Sequence, residues 1–175
     1  SIDNVEFIQA NAEELPFEDS SFDHINCQGV IHHTPDTLKS LKEISRCLKP
    51  GGSFSISVYY QNFLLRSWPL IRPIGNLLTS YGGGLKGRGR EKIFSIKDVN
   101  EIVRYYDGSD NPIGKSYSKR SFNKLLLQSN LITENKFLHF FPARSLPIKL
   151  PNLLHSYLDK LLGFMLYNIG KKKYD

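Results

Sequence analysis

Cysteine, nucleotide-binding glycine fingerprints and long apolar runs are all scarce in this chain, and each scarcity removes a class of protein. The two cysteines, Cys27 and Cys47, form no CxxC pair and have no histidines at ligand spacing. Neither a disulfide framework nor a metal site is therefore expected, and a reducing, cytoplasmic setting is. No stretch approaches the roughly 20 apolar residues of a membrane helix. The opening SIDNVEFIQ lacks the basic and apolar regions of a signal peptide, so no stable membrane insertion is expected. No repeat or low-complexity tract is present. The net charge of +6, with a pI near 9.3, favours acidic partners. The bases are nevertheless spread out apart from two clusters, which gives no indication of nucleic-acid binding. Gly114-Lys115-Ser116 imitates the end of a phosphate-binding P-loop, but that motif needs a glycine where Ser109 stands, and a preceding strand. ATP binding is not expected.

What is present is a chain of 175 residues, 40% hydrophobic and 23% charged, the size of one ordinary domain able to bury a core. Its most legible stretch is Phe22 to Tyr60, FDHINCQGVIHHTPDTLKSLKEISRCLKPGGSFSISVYY. His24 to Gln28 form a short, mostly apolar run. Thr34 followed by Pro35 reads as an N-cap with proline at the first helical position. Leu38, Leu41, Ile44 and Leu48 recur at three- and four-residue steps as one apolar stripe. Lys49-Pro50-Gly51-Gly52 stops that helix in a sharp turn. In Ser53–Tyr60, Phe54, Ile56, Val58 and Tyr60 alternate with small serines, the pattern of a strand covered on both faces. Strand, helix and strand make a βαβ unit with parallel strands, and ligands in such sheets collect at the strands' carboxyl ends. The loop Gln28-Gly29-Val30-Ile31-His32-His33-Thr34 leaves the first strand at that end.

The order VEFIQANAEELPF, FDHINCQGVIHHTPD, LKEISRCLKPGGSFSIS resembles the class I S-adenosylmethionine-dependent methyltransferases, particularly the group containing the quinone and small-molecule methyltransferases. The resemblance covers Asn4 to about Tyr60. It implies an α/β, Rossmann-like class I methyltransferase sheet with S-adenosylmethionine as cofactor. In that family a glycine-rich loop cradles the methionine part of the cofactor and an acidic residue holds the ribose. Neither occurs here, since the glycine clusters Gly51-Gly52, Gly82–Gly84 and Gly87–Gly89 all follow the wrong strands. The chain is thus expected to be the C-terminal part of such an enzyme, its sheet incomplete because the first strands are missing.

The resemblance also implies the site residues. Asn11-Ala12 stand where the family commonly has Asp-Ala, so the Asn11 carbonyl would accept from the adenine amine and the Ala12 amide would serve the ring. Gln28-Gly29 would offer backbone beside the sulfonium. His32 and His33 lie where chemistry is expected. A histidine there takes a proton from an acceptor hydroxyl or amine only if it lies within hydrogen-bond reach. Otherwise His33 caps or packs against the following helix and His32 is a partly exposed loop residue. Structural support is the better reading, because methyl transfer depends chiefly on holding nucleophile and methyl carbon together in a dry pocket.

The rest of the chain divides around this unit. Val5, Phe7 and Ile8 suggest a strand near residues 4–10. Residues 1–60 are read as the C-terminal part of the cofactor-binding core. Residues 61–116 are read as a helical, glycine-rich insertion over the carboxyl edge that shapes the acceptor pocket. It would comprise a helix broken by Pro69 and Pro73, the basic segment Lys86 to Lys92, a helix over Ile96–Tyr106 capped by Ser95, and a turn cluster at residues 107–112. Residues 117–175 would hold the closing elements: a helix capped by Ser118 and ended at Asn130, a strand over Ile132–Phe141, a helix over Asn152–Leu162, and a final antiparallel strand over Phe164–Ile169. The last strand is preferred to an interfacial helix because Gly163 splits the segment. Tyr59, Tyr60, Trp68, Tyr105 and Tyr106 are candidate pocket aromatics. The expected activity is methyl transfer to a small-molecule acceptor, acidic or lipid-like. Nucleotide-dependent reduction lacks its glycine fingerprint, and the alternative is a non-catalytic partner- or membrane-surface-binding remnant of a methyltransferase, favoured by the missing loop and basic tail.

Overall fold

A computed structural model describes residues 4–83, 90–108, 111–141 and 150–174. The βαβ unit forms as expected: β1 (Phe22–Gln28), α1 (Thr37–Cys47) and β2 (Leu48–Tyr60), with β1 parallel to β2. The helix begins later than the Thr34-Pro35 pair predicts. Asp36 is its N-cap, accepting from the Lys39 amide at 3.0 Å. Thr34 stays extended, as the residue before proline prefers, and its hydroxyl donates to the Ile31 carbonyl instead. The LKPGG turn is also absorbed into the sheet. Phe22 pairs Leu48 and His24 pairs Ser53, so residues 49–52 form a bulge inside β2, made possible by the positive φ of Gly51 (+72°).

The strand expected near residues 4–10 does not form: Phe7 is 94% exposed and Val5 and Ile8 are exposed beside it. A strand needs a neighbour to take its amides and carbonyls, and among the described residues none runs beside this stretch.

Beyond β2 come α2 (Phe63–Arg66), α3 (Trp68–Ser80) and α4 (Val99–Asp107). The break lies at Ser67. Pro69 sits harmlessly in the first turn of α3, and Pro73 is carried inside the helix. Asp98 rather than Ser95 caps α4, accepting from the amides of Asn100 and Glu101, while the Ser95 hydroxyl closes a 3₁₀ turn by donating to the Lys92 carbonyl. Most of the glycine-rich segment, and two positions of the turn cluster at 107–112, lie outside the described residues. The two-residue strand β3 (Ser116–Tyr117), unforeseen, pairs parallel with Tyr59 and Tyr60 and so extends the β2 edge where β1 has left it.

The closing elements match the reading closely. Helix α5 (Lys119–Gln128) opens with a Ser118–Ser121 capping box, and Asn130 takes φ +57° as a glycine would. Then follow β4 (Leu131–His139), α6 (Asn152–Leu162) and β5 (Met165–Lys172). Strand β5 runs antiparallel between β2 and β4, giving the order β1-β2-β5-β4. One core joins Phe54, Ile56 and Val58 to Leu41 and Ile44 of α1, Phe122 and Leu126 of α5, and Leu166. A second, smaller cluster lies over the carboxyl end, where Tyr59 meets Leu65, Trp68, Ile93, Ile102 and Val103.

Candidate active site

Strand β1 delivers Gln28 and Gly29 to the carboxyl end of the sheet, where both are exposed. Gly29 turns with φ +72°, and its amide donates to the Ser57 hydroxyl at 3.0 Å. A side chain built there would meet nothing within 4 Å, so the backbone faces open space. The chain then winds into a 3₁₀ turn, Ile31–His33, whose buried Ile31 carbonyl accepts from the hydroxyls of Thr34 and Thr37.

That turn sends the two histidines to different places. His32 is buried, 1% exposed, with ring centroids of His33 and Tyr59 at 4.1 and 4.3 Å. The partly exposed position expected for His32 is therefore not observed. Burial, followed by the neighbouring His33, pushes its imidazole down to about 3, so it is neutral at physiological pH. Its Nδ1 has no hydrogen-bond partner among the described residues.

His33 turns outward. Its Nδ1–H donates to the Ile113 carbonyl at 2.7 Å, which leaves Nε2 facing the Asp107 carboxylate, 3.5 Å away. With the proton on Nδ1, the Asn111 amide beside it donates to Asp107 Oδ2 at 2.7 Å. The Tyr59 hydroxyl donates to Asp107 Oδ1 at 2.7 Å, and burial, then this carboxylate, raises the phenol well above its ordinary range. A tyrosine, an amide and a histidine thus converge on one carboxylate at the end of α4. Chemically, a proton taken up at Nε2 would be met at once by Asp107. Lys115 completes the clamp, its amide donating to the His32 carbonyl at 3.0 Å and its ammonium to the Pro35 carbonyl.

Asn11 and Ala12 occupy a separate loop tied to α1. The Asn11 carbonyl already accepts from the Glu13 amide at 3.0 Å. Glu13 accepts from the Asp36 amide at 2.6 Å, and Glu43 from the Leu15 amide at 2.9 Å. Arg46 fastens the far side, donating to the carbonyls of Leu15 and Phe17 and to Asp19 and Glu43. Asn11 is thus linked to the histidine loop through the start of α1, while His32 and His33 meet Tyr59, Asp107 and Asn111 directly.

Asp107 and Asn111 were hidden within a surface turn cluster, and Tyr59 was one of five undifferentiated aromatics. The other four do not reach Asp107 or the histidines in the contacts seen: Trp68 stacks on Phe94 and Tyr106 on Phe164 in the cluster that holds Tyr59, while Tyr60 lies under Arg66 and Tyr105 under Arg104. Gly114, in the P-loop mimic, serves packing, since a Cβ there would lie 2.7 Å from the Arg104 backbone.

Comparison with known proteins places a sequence match in the first third of the chain and a fold match over nearly all of it. A model of the methyltransferase domain matches residues 1–56, the stretch that holds Asn11, Gln28, Gly29 and both histidines. The chain carries the class I methyltransferase fold and, over that stretch, the family's sequence. A ubiquinone/menaquinone biosynthesis C-methyltransferase UbiE from Brucella canis is 57% identical over 53 residues, 30% of this chain and 20% of that protein. The matched part is therefore about a fifth of the relative's length. Among solved structures, the methyltransferase in a complex with the Trm112 activator from Haloferax volcanii superposes with TM-score 0.60 at 16% identity, covering 99% of this chain and 64% of that one. A SAM-dependent methyltransferase from Methanosarcina mazei gives TM-score 0.56 at 19% identity, covering 95% and 66%.

Proposed function

We propose that this methyltransferase chain takes part in S-adenosylmethionine-dependent methyl transfer to a small-molecule or lipid-like acceptor. The observation that carries the reading is the family match over residues 1–56, in which Gln28, Gly29 and both histidines follow β1 at the carboxyl end of the parallel pair β1 and β2, where such sheets bind ligands. When bound, S-adenosylmethionine supplies an electrophilic methyl group. This chain's part is to hold and orient. Ala12 and the second lone pair of Asn11 would serve the adenine, and the exposed backbone at Gln28-Gly29 the region of the sulfonium. Residues 61–116, closed over the loop by Ile113 and Lys115, would form the acceptor-side cap.

We assign His33 a positioning role. Its ring binds the loop after β1 to that cap, with Nε2 turned to Asp107. His32, neutral and enclosed, packs Tyr59 beneath the loop. The oxygen, nitrogen or carbon nature of the acceptor is left to experiment. Methyl-labelled S-adenosylmethionine, incubated with the protein and a metabolite and lipid extract from its source, should label a small or lipid-soluble molecule. Absence of both label transfer and S-adenosylhomocysteine binding in the native-length protein would overturn the proposal.

A further inference from the structure

Helix α3 is apolar on its outward side as well as its inward one. Trp68 and Gly75 face inward: the Trp68 indole donates to the Ile96 carbonyl at 2.8 Å, and Gly75 lies so close to Phe94 that a Cβ would fall 2.0 Å from its ring. The outward side carries Leu70, Ile74, Leu77, Leu78 and Tyr81, exposed by 75, 62, 59, 57 and 83%. At about 100° per residue the four leucine and isoleucine positions fall within a single arc of roughly 100° that excludes Trp68 and Gly75, and Tyr81 follows at the C-cap. The polar Asn76 and Ser80 lie at the flank of that arc. A surface helix of a soluble domain normally turns a polar face outward, and a contiguous apolar patch of this kind marks an interaction surface.

Charge identifies the partner. Seven of the 23 Lys and Arg residues but only one of the 17 acidic residues, Glu91, fall between Gln61 and Lys97, so this stretch carries a net +6 while the remainder, with 16 of each sign, is neutral. Among described side chains, Arg66, Lys92 and Lys97 are exposed on this stretch. A protein partner is generally fixed in register by groups of both signs, and the described side chains of this stretch offer cations alone. A second copy docking through the same face would set the exposed cations of this stretch, Arg66, Lys92 and Lys97, toward like charges. An anionic bilayer asks only for an apolar arc and nearby positive charge.

We propose that α3 docks the protein on an anionic lipid surface, its apolar arc lying in the interface and the exposed bases Arg66, Lys92 and Lys97 serving the headgroups. The helix does not cross, since no described helix is long and apolar enough to span a membrane. It follows β2 at the carboxyl end of the sheet, and Trp68 packs in one cluster with Tyr59 of the candidate site, so docking brings that edge of the molecule toward the lipid. The proposal stands independently of methyl transfer.

Co-sedimentation of the full chain with vesicles tests it. Vesicles mixing phosphatidylglycerol with phosphatidylcholine should bind the protein about tenfold or more better than phosphatidylcholine alone, and added salt should weaken that binding. The double variant Ile74→Ser, Leu77→Ser should lose it by a similar factor while keeping its far-UV circular dichroism and thermal midpoint, because both side chains are exposed. Failure to bind anionic vesicles, or equal binding to neutral ones, overturns the proposal using the unaltered chain alone. So does a dimer, seen by sedimentation velocity, that the same variant dissociates, because the face would then be a self-interface.

Discussion

The ring of His33 is bonded to the Ile113 carbonyl, 80 residues further along the chain, at 2.7 Å. This bond and the Lys115 amide to the His32 carbonyl join the acceptor-side segment to the loop after β1, beside the Lys115 ammonium on the Pro35 carbonyl. His33→Ala should therefore cost about 1 kcal/mol of stability, the net worth of one hydrogen bond. It should raise amide exchange at Lys115 and Ser116, measured by hydrogen–deuterium exchange. In the native-length enzyme, turnover should fall without vanishing and cofactor binding should persist. Complete loss of turnover with unchanged cofactor binding would instead identify His33 as the base.

His32 makes stability depend on pH. Unfolded, its imidazole protonates near the ordinary value of roughly 6.5; folded, it resists protonation until about 3. The unfolded state then binds the extra proton between those values, so the stabilisation is complete above about 6.5 and is lost as pH falls toward 3. At pH 5 the loss should be on the order of 2 kcal/mol. Urea melts at pH 7.5 and 5 measure it, and His32→Phe, which keeps a ring against Tyr59, should flatten the difference. Equal pH dependence in both proteins would place the titration elsewhere.

What the sequence shows and what it conceals divides by distance along the chain. The alternation of Phe54, Ile56 and Val58, the cap at Ser118 and the left-handed Asn130 are local chemistry, and all three appear in the fold where expected. Asp98 defeated Ser95 as a cap, although both are good capping types, because its carboxylate reaches two amides. Phe7 failed for the opposite reason: a strand is a property of a pair. The site itself was half legible. His32 and His33 stand beside each other in a family motif, whereas Tyr59 and Asp107 are 48 residues apart and Asn111 lies 78 from His33. No periodicity records such contacts.

Gly170 tests the antiparallel closure of the sheet. A Cβ there would lie 1.9 Å from the Ile132 carbonyl oxygen and 2.9 Å from the Phe54 ring, and the first of these is backbone that cannot step aside. Gly170→Ala should force β4 from β5 and cost more than about 2 kcal/mol, read as a lower urea midpoint. Gly82→Ala is a useful contrast, because a Cβ there meets nothing within 4 Å and only its positive φ is strained. An unchanged midpoint for Gly170→Ala would show that β4 and β5 pair more loosely than observed.

Affinity for S-adenosylmethionine should be weak in this chain by itself, because the polar groups assigned to the cofactor are already engaged. Asn11 gives one lone pair of its carbonyl to Glu13, and the Gly29 amide is held by Ser57. What is left is one free lone pair on Asn11, the Ala12 backbone and the Gln28 backbone, with no glycine-rich turn after a strand in these residues to take the methionine end. Association also costs translational and rotational freedom before any contact repays it. Calorimetric titration should therefore show no saturable heat below about 1 mM, a dissociation constant equivalent to only about 4 kcal/mol. Arg46→Met, which frees the loop carrying Asn11 from Leu15, Phe17 and Asp19, should make that loop more susceptible to limited proteolysis without restoring binding. Micromolar affinity in the unaltered chain would mean either that the cofactor sits elsewhere or that a second copy supplies the missing contacts. Sedimentation velocity with and without the cofactor separates the two, since only the latter predicts a ligand-dependent dimer.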